Sequence, residues 1–296
     1  MRHSIAAQPQ VIWEKGRTKM KLPNYMTGLV AAVGLSVCAH AAQADLLDDI
    51  VADGELRCGV MLDAPPVGLR NANNEPIGFD VAVCMDMAEA LGVKANVIET
   101  PSPDRIPALL SKRVDISISS AGNSLERAKS ISFSIPYQIW DQSIAVAADS
   151  TDIASFDDLE GKKIGMLRGT TGEAAFLKQL EELDWSGDTE IISYGSNAEQ
   201  FLALSQGKVD AIIEGTAIIA EFARGPGDGR IRIASRWETG PIDYTGLMVR
   251  REDVGLLNWT NLFVWHQIKN GRIDELYREW FGVPAPDMSL PGSGAY

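Results

Sequence analysis

One passage of this chain is written twice. Residues 108–120 read ALLSKRVDISISS and residues 202–215 read LALSQGKVDAIIEG. Each is a helix end, a short basic turn, Val-Asp and a buried strand. A unit that recurs in the same order restricts the fold to two similar lobes. Around these passages, strand and helix signals alternate. Strands are predicted over 55–62, 93–99, 114–119 and 143–148, and again over 162–167, 190–194 and 209–214. Helices are predicted over 79–91, 105–110, 172–183, 198–206 and 273–281. Such alternation builds α/β lobes with mostly parallel sheets flanked by helices. The inward face of the 172–183 helix is assigned to Phe176, Leu177, Leu180 and Leu183. That of a helix after GLMVRRED (246–253) is assigned to Leu262, Trp265 and Ile268. No low-complexity linker separates the lobes.

The N-terminus reads as an export signal. Residues 20–44 have a basic start, an apolar run from Met26 to about Ala39, and Ala42-Gln43-Ala44 as a small-x-small cleavage site before Asp45. The run is shorter than the roughly 20 residues that span a bilayer. The residues ahead of Met20 read as a long n-region or an upstream start, so Met1 and Met20 both stand as initiators. Cys38 sits behind Val37, where a lipobox wants a small residue. The leader carries Arg2, Lys15, Arg17, Lys19 and Lys21 against Glu14. Its removal therefore deepens the net charge of −13. That charge excludes nucleic acid and anionic lipid as partners, because both select a basic face. It suits a monomer.

Two cysteines follow the leader, Cys58 on the first strand and Cys84 on the 79–91 helix, where it shares a face with Val81, Met85 and Ala88. Neither belongs to a C-x-x-C or a Cys/His cluster, so no metal is expected. Two outcomes stand open: a Cys58–Cys84 disulfide, allowed by export, or two buried thiols. No cofactor is expected.

The stretch 105–137, RIPALLSKRVDISISSAGNSLERAKSISFSIPY, carries the chemistry. A turn of Ser119-Ser120-Ala121-Gly122 lets backbone N–H groups approach an anion. A guanidinium at Arg127 can grip a carboxylate through two parallel hydrogen bonds. The order of pieces, R-I-P-x-L, V-D, S-S-x-G, E-R-A-K and F-S-x-P-Y, resembles the ligand-binding segment of the periplasmic polar-amino-acid binding proteins, the solute-binding family 3 of ABC importers. Gly78-Phe79-Asp80-Val81 matches the opening of that family's signature, with Ala82 where an acid is usual. The similarity covers residues 45–283.

That resemblance implies the two-lobe periplasmic binding protein fold of type II with two hinge crossings, near Asp141–Ile144 and Asp243–Leu247. It divides the chain into a leader and signal peptide (1–44), the first part of lobe 1 (45–142), lobe 2 (143–243) and a return to lobe 1 with the C-terminal tail (244–296). It implies a periplasmic capture protein that hands an amino-acid-like ligand to a membrane permease driven by an ATPase. By register, Arg127 is the carboxylate clamp, and Ser120 and Gly122 are the turn positions that meet the ligand. Gly122 keeps the backbone N–H but lacks the usual hydroxyl. On lobe 2, Gly169-Thr170-Thr171-Gly172-Glu173 matches the family's G-T-T-x-E loop, with Thr170 and Thr171 at the ligand. It also reads as a capping box, and a helix N-terminus binds anions directly. The family's ammonium-binding acid falls at Gly215, and Glu214 is one residue early. Either a bulged strand end brings Glu214 to the ligand, or the ligand lacks a conventional α-ammonium. In the side-chain slot, Ala64 and Ser102 replace larger residues, leaving Trp140, Tyr137 and Phe79 as possible walls.

An enzyme is the competing expectation, since cyclohexadienyl dehydratases resemble this family. A desolvated Glu214 or Glu173 would then be the general acid. One histidine follows the leader, His266, and it has no Ser or Cys motif beside it, which argues against a triad.

Overall fold

The computed structural model describes residues 45–185 and 187–288. The leader expected over 1–44 lies outside the described residues. The chain begins with α1 (Leu46–Asp53) and β1 (Glu55–Val60), then a two-stranded ribbon of β2 (Leu69–Arg70) and β3 (Pro76–Ile77). Next come α2 (Phe79–Leu91), β4 (Lys94–Glu99), α3 (Arg105–Leu110), β5 (Ile116–Ser117) and the long β6 (Ile131–Trp140). One residue later β7 (Gln142–Ala147) opens a second sheet. It is followed by β8 (Lys163–Leu167), α4 (Thr171–Glu182), β9 (Glu190–Tyr194), α5 (Asn197–Ser205), β10 (Ala211–Gly215), α6 (Thr216–Arg224) and β11 (Ile231–Arg236). The chain then returns through β12 (Asp243–Arg250) and ends in α7 (Val254–Lys269) and α8 (Arg272–Phe281).

The two five-stranded sheets are ordered β4-β1-β5-β12-β6 and β11-β7-β10-β8-β9. In each, three strands are parallel, as the alternating pattern requires: β4, β1 and β5 in one, β9, β8 and β10 in the other. The remaining strands pair antiparallel, which makes both sheets mixed. These are the strands on either side of the two crossings, which run between the sheets without a helical crossover to reverse them. The first crossing is Asp141 alone. The second spans 237–242, ahead of the expected Asp243–Leu247, because Asp243 already faces Trp140 in the β12–β6 ladder. An Arg236–Asp141 ion pair of 3.0 Å links the two crossings.

Each sheet has its own apolar core. Around the first, Val60, Phe79, Cys84, Ile116, Tyr137, Leu247 and Leu276 are sealed from solvent. Phe281 at the end of α8 reaches Phe79 and also Trp140, at 5.1 and 6.2 Å between ring centroids. Cys58 and Cys84 are disulfide-bonded, tying β1 to α2. Three helix faces are rotated from expectation. In α7 the buried set is Leu256, Thr260, Phe263 and Val264, and Leu262 is 55 % exposed. Neighbouring residues point about 100° apart on a helix, so Phe263 facing inward turns Leu262 out. In α4, Gly172, Phe176 and Leu180 form the inward line at i, i+4, i+8, leaving Leu177 and Leu183 exposed. Met85 of α2 is likewise exposed, beside the bonded Cys84.

Candidate functional site

The loop after β5 and the loop after β8 both leave the carboxyl ends of parallel strands, where open α/β sheets present ligand-binding loops. They meet at the carbonyl of Gly169. Arg127 donates through Nη1 to Gly122 O at 2.6 Å and through Nη2 to Gly169 O at 2.7 Å. Arg105 is buried at the start of α3. It donates through Nη2 to the same Gly169 O at 3.0 Å, through Nη1 to Ser119 O at 3.0 Å and through Nε to Ser102 O at 2.9 Å. Ser102 Oγ adds a bond to Arg168 O at 3.0 Å. Further along the cleft, Asn197 N donates to Asp63 Oδ2 at 2.8 Å.

The second loop is organised by its own capping. Thr170 Oγ1 accepts from Glu173 N at 3.0 Å, and Glu173 Oε2 accepts from Gly169 N at 2.8 Å. This reciprocal pair fixes the entry to α4. The N–H groups of the first turn beyond it have no acceptor within the helix. Thr171 turns its hydroxyl across the cleft and donates to Asp243 Oδ2.

Two adjoining cavities result, sharing Arg105, Thr170 and Thr171 as walls. The inner one, about 30 Å³, is lined by Ser120, Gly122 and Glu214, by Asp243, Gln142 and Trp140, and by apolar Met61, Leu167, Ile213 and Ile218. The outer one, about 520 Å³, is where Arg127 lies, with Ser102, Glu126 and Glu173. The structure therefore gathers all six sequence-selected residues around one cleft, with Arg127 on the outer side and Glu214 deep within.

Ser120 sits in the left-handed region at φ 48°, which is uncommon for a residue with a side chain. Its Oγ donates to Asp80 Oδ2 at 2.9 Å and its N–H to Tyr137 Oη at 3.2 Å. Its hydroxyl thus anchors the turn to α2. Tyr137 and Phe79 are fully buried core, and Ala64 is buried in the apolar cluster that Met61, Val67 and Trp140 form with Phe201 and Ile218, so of the expected slot residues Trp140 alone reaches the inner cavity. Two glycines leave room for larger neighbours. A Cβ on Gly122 would overlap the Asp243 carboxylate, and one on Gly215 would overlap the Trp140 indole.

Burial dominates the electrostatics. Removal from water disfavours the charged forms, pushing Glu214 up to about 7 and Asp243 upward, and pulling Arg105 down to about 10 and Arg127 downward. The charge of Arg127 also depresses Arg105, while Glu214 and Asp243 support it. Sequence reasoning missed Arg105 and Asp243 as site residues. For Arg105 a signal existed: a cation opens α3, where the helix dipole disfavours it. Asp243 carries no such mark, because its place depends on the return of β12.

The model of the bacterial extracellular solute-binding proteins, family 3, matches residues 56–283. The L-cystine-binding protein TcyJ of Escherichia coli K12 is 27 % identical over 251 residues, 84 % of this chain and 91 % of that protein. ABC transporter arginine-binding protein 1 of the same organism is 27 % identical over 230 residues, covering 77 % and 90 %. Among solved structures, an ancestral amino acid-binding protein described as a precursor of cyclohexadienyl dehydratase superimposes with a TM-score of 0.70. It is 30 % identical, covering 80 % of this chain and 100 % of that one.

Proposed function

The chain belongs to the bacterial extracellular solute-binding proteins, family 3, and from that premise we propose that it is the extracytoplasmic capture component of an ABC importer. It closes two lobes around an amino acid or a similar small carboxylated solute and presents the closed form to a permease coupled to an ATPase. It works as a monomer in the periplasm after cleavage behind Ala44. Lobe 1 comprises 45–141 and the return from 243, and lobe 2 comprises 142–242, one residue off the expected bounds because Gln142 starts β7 and Asp243 starts β12. The ligand is held by Ser120, Gly122 and Arg127 from lobe 1, and by Thr170, Thr171 and Glu214 from lobe 2.

One observation carries this reading: two guanidiniums from the first lobe converge on the loop that opens α4 in the second. Cations and helix-start N–H groups facing one another make a receptor for a carboxylate. The L-cystine-binding and arginine-binding relatives favour the amino-acid class. The test is an unfolding-temperature screen of the mature chain with the common L-amino acids and L-cystine, because a ligand bound only by the folded state raises the midpoint. No shift with any of them overturns the amino-acid reading.

A second reading has an observation of its own. A buried carboxyl at Glu214, pushed up to about 7, is suited to donate a proton near neutrality. Turnover of prephenate or arogenate by the purified chain would make it a dehydratase. Absence of turnover alongside amino-acid binding leaves the transporter role.

A further inference from the structure

An α-amino acid places its ammonium one carbon from its carboxylate, so the ammonium acceptor must adjoin the carboxylate clamp. Two carboxylates line the inner cavity, Glu214 and Asp243. Glu214 accepts from the N–H of Gly215 at 2.8 Å and shares the cavity with the apolar Met61, Trp140, Leu167, Ile213 and Ile218. Asp243 is bonded to the hydroxyl of Thr171, the residue that opens the α4 anion site, and its other oxygen occupies the space above Gly122. Asp243 is 7 % exposed and stands at the start of β12, opposite Trp140. The glycine positions explain why it can lie there. A side chain at residue 122 would displace the Asp243 carboxylate, and the indole of Trp140 fills the space above Gly215.

We propose that Asp243 is the acceptor of the ligand's α-ammonium, and that Glu214 instead faces the ligand's side chain, selecting amino acids whose side chain ends in a hydrogen-bond donor. The inference rests on the reading that this cleft binds an amino acid. The charges agree with it. Arg105 is attracted to both Glu214 and Asp243, and Arg127 to Asp243, and a zwitterion adds one charge of each sign without leaving a buried one unpaired. Gly122 still offers its backbone, but its carbonyl already accepts from Arg127, so the carboxylate of Asp243 is the strong acceptor beside Thr171.

The test pairs a change in the protein with a change in the probe. The L-amino acid that most raises the unfolding temperature of the wild-type chain is titrated against wild type, Asp243→Asn and Glu214→Gln. So is the L-2-hydroxy acid with the same side chain. Asp243→Asn should weaken the amino acid by about 30-fold or more, leave the hydroxy acid within about 3-fold, and so abolish the discrimination between them. Glu214→Gln should reorder preference among side chains and keep that discrimination. Full discrimination in Asp243→Asn, with its loss in Glu214→Gln, overturns the proposal and puts the ammonium on Glu214. If no amino acid binds wild type, the failure lies in the amino-acid reading itself, and this inference falls with it. Should Asp243→Asn not fold, a crystal structure of wild type with the bound amino acid decides: ammonium within hydrogen-bond distance of Asp243 supports the assignment, and ammonium on Glu214 overturns it.

Discussion

Arg127 and Arg105 share one carbonyl but differ in what surrounds them. Arg105 is spent on four fixed bonds to Ser102, Ser119 and Gly169. Arg127 makes two, one of them across the cleft, and opens on the larger cavity. The guanidinium free to exchange a carbonyl for a ligand carboxylate is therefore Arg127. Arg127→Ala should cost about 2–5 kcal/mol of binding, as truncating one partner of a buried charged pair does. Arg127→Lys should fail as well, since a point charge cannot reproduce the fork. Calorimetric titration with the amino acid found in the thermal screen checks both, and unchanged affinity in Arg127→Ala would remove it from the site. Glu214 gives a prediction that needs no ligand. Its carboxyl is raised from 4.5 to about 7 by burial, so the folded state favours the protonated form. That contribution is complete below about pH 4.5 and drains away as pH rises to about 7. Glu214→Gln carries no such loss. The unfolding temperature of the variant should therefore gain on wild type across this window and hold its gain above it. A difference that stays flat from pH 4 to 8 would refute the assignment.

Elements show how far the sequence reaches. Asp45 caps two helices at once: it accepts from Leu47 N in α1 and from Gly255 N and Leu256 N at the start of α7. Asp45→Ala should cost about 1–2 kcal/mol, a drop in midpoint of about 2–8 °C for a chain of this size, read by thermal unfolding followed by circular dichroism. The disulfide closes a loop of sequence separation 26. Replacing both cysteines by serine should lose about 3–4 kcal/mol in denaturant unfolding. Helix α2 was legible to the residue because its signals are local, with glycine at both ends and an apolar face between. The strand expected over 114–119 shrank to Ile116–Ser117, since where pairing ends depends on β1 and β12 rather than on Val114 or Ser119. Long β6, and β12 as a strand from Asp243, escaped the sequence for the same reason: their partners are about a hundred residues away. The site divided in the same way. Arg127, Thr170 and Thr171 stand in contiguous motifs, whereas Asp243 arrives by return of the chain, and Arg105, although it opens the R-I-P-x-L piece, bonds to carbonyls that depend on the fold.

At the scale of the whole molecule, the proposed ligand site is also the contact between the two sheets. The polar bonds joining the two sides at the cleft, from Arg105 and Arg127 to Gly169, from Ser102 to Arg168, from Thr171 to Asp243 and from Asn197 to Asp63, are few and are made to loop carbonyls and two carboxylates. Water can replace such bonds at little net cost, because each protein–protein bond is exchanged for solvent bonds. A ligand that touches Arg127 and Thr171 together adds charged contacts available only when the sides meet, and so shifts the population toward closure. The joints are short: Asp141 on one strand crossing and 237–242 on the other, tied by the Arg236–Asp141 pair. Rotation about two adjacent strands is a hinge motion in which few backbone angles change. Spectroscopic labels at Leu125→Cys beside the Arg127 turn and at Lys178→Cys on α4, both exposed positions, should approach one another when the amino acid is added. In the Arg127→Ala background the same labels should stay apart at ligand concentrations that saturate wild type. A ligand that binds tightly yet leaves both the label separation and the small-angle scattering radius unchanged would mean the cleft is preformed, and capture by closure would be wrong for this chain.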